Sequence, residues 1–186
     1  MNENPTNSKE QLRIGICSFF GDGVPQDSEK GIYWITKAAE QDDKDAQCFL
    51  GVLFHEGNGV PEDMEKAVYW FTKAGEQGSV DAQSALGLAY HYGNKVTKDR
   101  EKALYWYTKA AEQGHAESQY WAGILYGYGG DTKDTKKAEY WLTKSAEQGE
   151  PMAQKRLADN YENGYDGFPK DPQKAKYWRA KADEQE

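Results

Sequence analysis

The dipeptide Tyr-Trp occurs at Tyr33-Trp34, Tyr69-Trp70, Tyr105-Trp106, Tyr140-Trp141 and Tyr177-Trp178, in steps of 36, 36, 35 and 37 residues. A spacing in the range of roughly 20–50 residues is that of a tandem array of small supersecondary units. Other rows keep the same step. Lys30, Lys66, Lys102, Lys137 and Lys174 stand three residues before each pair, and Asp27, Asp63, Asp99, Asp134 and Asp171 three before those lysines. Gly21, Gly57, Gly93, Gly129 and Gly164 form a further row. Gly15, Gly51, Gly87 and Gly123 form another, which Ala158 completes.

Each unit reads as two helices. In the second, Ala46, Phe49, Leu50, Leu53 and Phe54 recur at i, i+3, i+4, the period of a helix rather than a strand. Gly57 stands where a left-handed residue would end that helix. Asp63 is placed to cap the next helix, with Glu65 near the positive end of its dipole. In the last unit Asp171-Pro172 puts proline at the first helical position, where its missing N–H costs nothing. Length changes fall between the helices: Gly129 to Asp134 is five residues and Gly164 to Asp171 seven, against six elsewhere. One helix pair cannot bury its own apolar face, so the units must stack. The Tyr-Trp row is expected to supply that core, with Ala67, Tyr69, Trp70 and Ala74 as the buried stripe of its helix.

Composition narrows the partner. The 186 residues carry a formal charge of -8, which disfavours a nucleic-acid backbone or an anionic membrane, since both reward a basic surface. No run approaches the ~18 apolar residues of a membrane span. Residues 1–10 are polar and lack the apolar stretch of a secretory signal, so a cytoplasmic location is expected. Two cysteines do not make a disulfide framework.

The pattern A-x-x-L-G-x-x-[YF]-x-x-G-x-G-V-x-x-D-x-x-K-A-x-x-W-[YF]-x-K-A-A-x-x-G resembles that of Sel1-like repeats, relatives of the tetratricopeptide repeat. Residues 46–78, 82–114 and 118–149 match it nearly in full. Segments 10–42 and 153–186 match more loosely, with Asp42 for the closing glycine and Ala158 for Gly. The resemblance implies an all-α fold, a right-handed α/α superhelix or solenoid of about five helix-turn-helix repeats spanning 10–186 behind a polar tail at 1–9. It also implies a scaffold or adaptor rather than an enzyme.

In tetratricopeptide-like stacks the first helix of each pair lines the concave face, and this resemblance places the candidate binding residues there. Four rows result: Leu12, Cys48, Ser84, Tyr120 and Lys155; Ile16, Val52, Leu88, Ile124 and Asp159; Phe19, His55, His91, Gly127 and Glu162; Phe20, Glu56, Tyr92, Tyr128 and Asn163. The candidate partner-binding set is Ile16, Phe19, Phe20, Val52, His55, Glu56, Leu88, His91, Tyr92, Tyr120, Ile124 and Tyr128. Its aliphatic row makes an apolar floor edged by aromatics and acids, of the kind that marks a partner surface. The polar last first-helix, with Lys155, Arg156, Asp159, Asn160, Glu162 and Asn163, resembles a solubilising cap. The first, with Leu12, Ile14, Ile16, Phe19 and Phe20, is an edge available to a partner or to a second copy, giving a monomer or weak homodimer.

No other chemistry stands apart from the repeat. His55 and His91 occupy equivalent positions about 10 Å apart along the stack, too far for joint ligation at zinc–nitrogen distances of about 2.0–2.1 Å. The glycine-rich turns (Gly21-Asp-Gly23, Gly57-Asn-Gly59 and Gly129-Gly130) follow helices rather than strands, unlike phosphate loops. No catalytic residue, metal or cofactor is expected. The function expected is that of a non-enzymatic protein–protein interaction module, with a cytoplasmic immunity protein neutralising a basic toxin or effector, and then a self-assembling scaffold, as alternatives.

Overall fold

The computed structural model describes residues 6–93, 95–128 and 133–184. Residues 1–5 of the expected tail, and Gly129 and Gly130 of the fourth turn, lie outside the described residues. Among these the chain forms α-helices and one 3-10 turn (Tyr165–Gly167), with no strand. The helices are α1 Ser8–Phe20, α2 Ser28–Glu40, α3 Lys44–Glu56, α4 Met64–Glu76, α5 Val80–Tyr92, α6 Arg100–Glu112, α7 Ala116–Gly127, α8 Thr135–Glu147, α9 Pro151–Asn163 and α10 Pro172–Asp183. They gather into two compact units, residues 1–98 with α1–α5 and residues 99–186 with α6–α10. Within each unit, helices adjacent in sequence pack together along most of the chain.

The row residues act as start and stop signals. Asp27, Asp63, Asp99, Asp134 and Asp171 each cap a second helix, their carboxylates accepting the backbone N–H of Lys30, Lys66, Lys102, Lys137 and Lys174. That hydrogen bond holds the Asp63 and Asp99 carboxyls below the usual aspartate range. Gly57 ends α3 in the left-handed region at φ 67°, which a residue with a Cβ enters only at a cost.

The core differs from the expected stripe. In α4 the buried residues include Ala67, Phe71, Ala74 and Gly75, whereas Tyr69 is 53% exposed and Trp70 half-buried. The same offset is buried as Ile35, Tyr107 and Leu142 in other second helices. From Ala67, steps of four and seven return to one face of a helix, while a step of two lands about 200° away. The tyrosines of all five pairs are therefore outward, 53–55% exposed. Each meets its neighbouring tryptophan edge-on at 4.8–5.0 Å. Trp106 and Trp178 are buried and the other three paired tryptophans half-buried.

The inward residue needs room on the facing helix, and the glycine row provides it. A Cβ added at Gly15, Gly51 or Gly123 would come within 2.6–2.7 Å of Ile35, Phe71 or Leu142, respectively. Phe19, expected on the binding face, instead belongs to the core of the first unit with Ile35, Leu50 and Leu53. The apolar edge expected of α1 thus lacks one of its two phenylalanines.

A buried glutamine joins one repeat to the next. Gln47 is fully buried; its side-chain N–H donates to the Ala39 carbonyl at the end of α2, and its oxygen accepts from Gln77 at 2.8 Å. Gln119 repeats this with the Ala111 carbonyl and Gln148, and Gln83 and Gln154 donate to Gly75 and Ala146. A polar group this deep is stable only because its partners are in place.

Two measurements check these assignments by urea denaturation. Phe71→Ala is expected to lower stability by about 3–5 kcal/mol, and Tyr69→Ala by under about 1 kcal/mol; equal losses would restore the Tyr-Trp core. Gln47→Ala is expected to cost about 1–3 kcal/mol by breaking the buried link, and Gln77→Ala, at the exposed end, distinctly less.

Candidate functional site

In the first unit, α3 and α5 leave an apolar cleft of about 530 Å³ between them. Val52 and Leu88 lie at one offset of these two helices, and Ala85 and Ala89 keep the α5 wall low. Met64 and Phe71 of α4 close the bottom. His55, Glu56 and Tyr92 stand at the rim, Tyr92 being 60% exposed and His55 and Glu56 exposed. Both helices end at this rim, α3 at Glu56 and α5 at Tyr92, so their dipoles add negative potential to the Glu56 carboxylate. The charge of the chain is uneven in the same sense. Residues 1–98 hold 9 Lys and Arg against 15 Asp and Glu, whereas residues 99–186 hold 14 against 16.

Five of the candidate residues, Val52, His55, Glu56, Leu88 and Tyr92, are thus brought together in one cleft. In the same unit Ile16 and His91 are half-buried and Phe20 is 58% exposed, edge-on to Phe49 at 6.1 Å. Tyr120, Ile124 and Tyr128 belong to the second unit. There Ile124 is buried in a core with Leu142 and Leu157, against which Tyr120 packs half-buried, while Tyr128 is 60% exposed.

At the same register of the second unit, among the described residues, side chains stand between the first helices α7 and α9. Counting by the repeat step, the positions of Val52, His55 and Glu56 are taken by Ile124, Gly127 and Tyr128, and those of Ala85 and Ala89 by Arg156 and Asn160. The Arg156 guanidinium lies over the Tyr128 ring at 4.8 Å and pairs with the buried Asp166 carboxylate at 2.7 Å. Asn160, fully buried, donates to the same carboxylate at 3.2 Å. Asp166 arrives from the longer fifth turn in the left-handed region (φ 57°), and Thr135, at the position of Met64, donates to its backbone carbonyl at 2.9 Å. Its carboxylate fills space that a Cβ at Gly127 would need. Arg156 and Asn160, both expected in a solubilising cap, are instead turned inward. Sequence reasoning missed Asp166; the signals that could have found it were the extra residue of that turn and the glycine at 127.

A second polar group ties α8, α9 and α10. The Tyr161 hydroxyl donates to Glu139, and Lys174 donates to the Tyr161 oxygen at 3.2 Å. Burial, and the hydrogen bond to Glu139, push the Tyr161 hydroxyl up to about 12, partly offset by Lys174. Because the folded state holds this proton more tightly than the unfolded chain, the contribution is complete below the ordinary tyrosine value near 10 and is lost as pH rises through about 12. Relative to Tyr161→Phe, the wild type is expected to lose stability between about pH 10 and 12 in parallel urea titrations; a pH-independent difference would contradict this.

Among the described residues, no group of three or more His, Cys, Asp or Glu could hold a metal ion, and no helix is long and apolar enough to cross a membrane. Fold and cleft together define an all-α helix-pair repeat protein with an open apolar face. The Sel1 repeat pattern matches at residues 11–43, 44–79, 80–115, 116–150 and 151–182, and the chain belongs to the Sel1 repeat family. Repeats of this family typically act as non-catalytic scaffolds for protein–protein interaction. Among solved structures, a protective antigen of uropathogenic Escherichia coli strains with an SLR fold is 37% identical, with a TM-score of 0.86 over 96% of this chain and 38% of the antigen. This chain thus spans well under half of that protein's length. A Sel1 repeat protein from Oxalobacter formigenes is 36% identical, with a TM-score of 0.77 over 96% of this chain and 74% of that one. The immunity protein PA5088 from Pseudomonas aeruginosa is 18% identical with a TM-score of 0.50 over 99% of this chain and 83% of its own, a likeness of fold alone. A comparison with curated proteins finds no match.

Proposed function

We propose that this chain is a non-enzymatic protein-interaction module that receives its partner on the first-helix face of residues 1–98, with Val52, His55, Glu56, Leu88 and Tyr92 as contact residues and Ile16, Phe20 and His91 flanking them. In the second unit, taken by itself, Tyr120 and Tyr128 are candidate contact residues. The observation that carries this reading is the apolar cleft between α3 and α5, open between half-buried aliphatic walls and an exposed tyrosine. Apolar surface held open in this way is stabilised by a partner that covers it. The module works in a reducing compartment, the cytoplasm, where its two unpaired cysteines, Cys17 and Cys48, stay as thiols.

The test is quantitative affinity capture with purified wild type, Leu88→Asp and Tyr92→Ala, with Tyr69→Ala as an outer-face control. Circular dichroism first establishes that each variant folds; should Leu88→Asp fail, Tyr92→Ala carries the test, its side chain being mostly exposed. A partner held by wild type and Tyr69→Ala but reduced about tenfold or more by the cleft variants supports the reading. Equal retention by all would overturn the site. Capture of a basic toxin would specialise the role to immunity.

A further inference from the structure

We infer that the α3–α5 cleft is an arginine socket: its partner inserts an arginine, flanked by an apolar residue, between Glu56 and Tyr92. This rests on the interaction reading above and names the chemistry that the same cleft selects.

The protein contains its own precedent. At the matching register of the second unit an arginine occupies the space between first helices, with an aromatic ring beneath it and a carboxylate beside it, through Arg156, Tyr128 and Asp166. The first unit differs at all three positions, with Glu56 for Tyr128, Ala85 for Arg156 and Lys95 for Asp166, and its cleft instead brings a carboxylate and a tyrosine, Glu56 and Tyr92, into one lining. Ala85 stands where Arg156 does and leaves the volume empty. Glu56 takes the place of Tyr128 on α3, while Tyr92 supplies the ring from α5.

The physical terms agree. A guanidinium is planar and weakly hydrated, so it can stack on a tyrosine face while pairing with a carboxylate, and a lysine ammonium matches this poorly. The methylene stem packs along the apolar walls of Val52 and Leu88. A cleft of about 530 Å³ exceeds one side chain, which leaves room for the apolar neighbour. Negative potential from Glu56, from the ends of α3 and α5, and from the acidic excess of residues 1–98 favours a cation over a neutral or acidic group. Lys95 is paired with Glu62 at 2.6 Å.

The experiment uses the full chain, labelled at valine and leucine methyls, titrated with three probes: N-acetyl-leucyl-arginine amide, its lysine analogue and its glutamine analogue. The expected result is that the arginine probe shifts the Val52 and Leu88 methyl resonances and binds more tightly than the lysine probe, which exceeds the glutamine probe. Glu56→Gln is expected to weaken the arginine probe about tenfold and leave the glutamine probe unchanged. Ala85→Arg, which copies the second unit, is expected to fill the cleft from within and abolish binding of the arginine probe while the chain stays folded.

Equal affinity for all three probes, or no effect of Glu56→Gln, overturns the socket while leaving an apolar interaction cleft intact. No shift at Val52 and Leu88 with any probe likewise overturns it, and the capture experiment above then judges the interaction reading by itself. Probe binding as expected, together with partner capture indifferent to Leu88→Asp, would show an arginine-selective cleft that the captured partner does not use, and would overturn both the partner's arginine and that reading.

Discussion

The fold depends on how closely two helices of a pair can approach. At Gly15, Gly51 and Gly123 the first helix has no side chain, and the largest inward residue of the second helix lies where a Cβ would have been. This lets a two-helix unit of about 36 residues bury Ile35, Phe71 or Leu142 almost completely, which a helix pair held apart by ordinary side chains could not do. Everything else follows from that contact. The alanines around it keep the helices close, and the aspartate caps and glycine stops fix where each helix begins and ends.

The same economy shapes the binding face. What stands on neighbouring first helices decides whether the space between them is open or filled. Ala85 and Ala89 leave it open in the first unit, and Arg156 and Asn160, with Asp166, fill it in the second. Two sites of one ancestry in sequence pattern thus differ in occupancy through a handful of substitutions and one extra loop residue. No change of fold is involved.

Much of this was legible in the sequence because it rests on single-residue chemistry at fixed intervals. Aspartate before a helix, glycine after one and proline at the first helical position each have one favoured place, and the structure puts Asp63, Gly57 and Pro172 there. The tyrosines of the Tyr-Trp row misled because size was taken for burial; helical arithmetic places the residue after each pair inward, and Phe71 rather than Tyr69 is core, while Trp106 and Trp178 are buried as expected. The glutamine row escaped notice because an amide reads as surface until its partners, backbone carbonyls of the preceding unit, are in view. Val52 and Leu88 share one offset of the repeat and Glu56 and Tyr92 another, and it was the resemblance to tetratricopeptide-like stacks that put both rows on one face. That Phe19 and Ile124 leave that face for the core was not legible, since each depends on what the neighbouring unit packs against it.

The buried glutamines carry a mechanical consequence. An apolar interface is indifferent to small sliding of one helix along another, because dispersion and water release have no direction. A hydrogen bond from Gln47 to a particular carbonyl of the preceding helix, relayed to Gln77, has both direction and address. Within each compact unit the joint between successive repeats is therefore indexed, like a notch in a ratchet, and sliding of one helix past the next meets a discrete stop where a purely oily joint would creep.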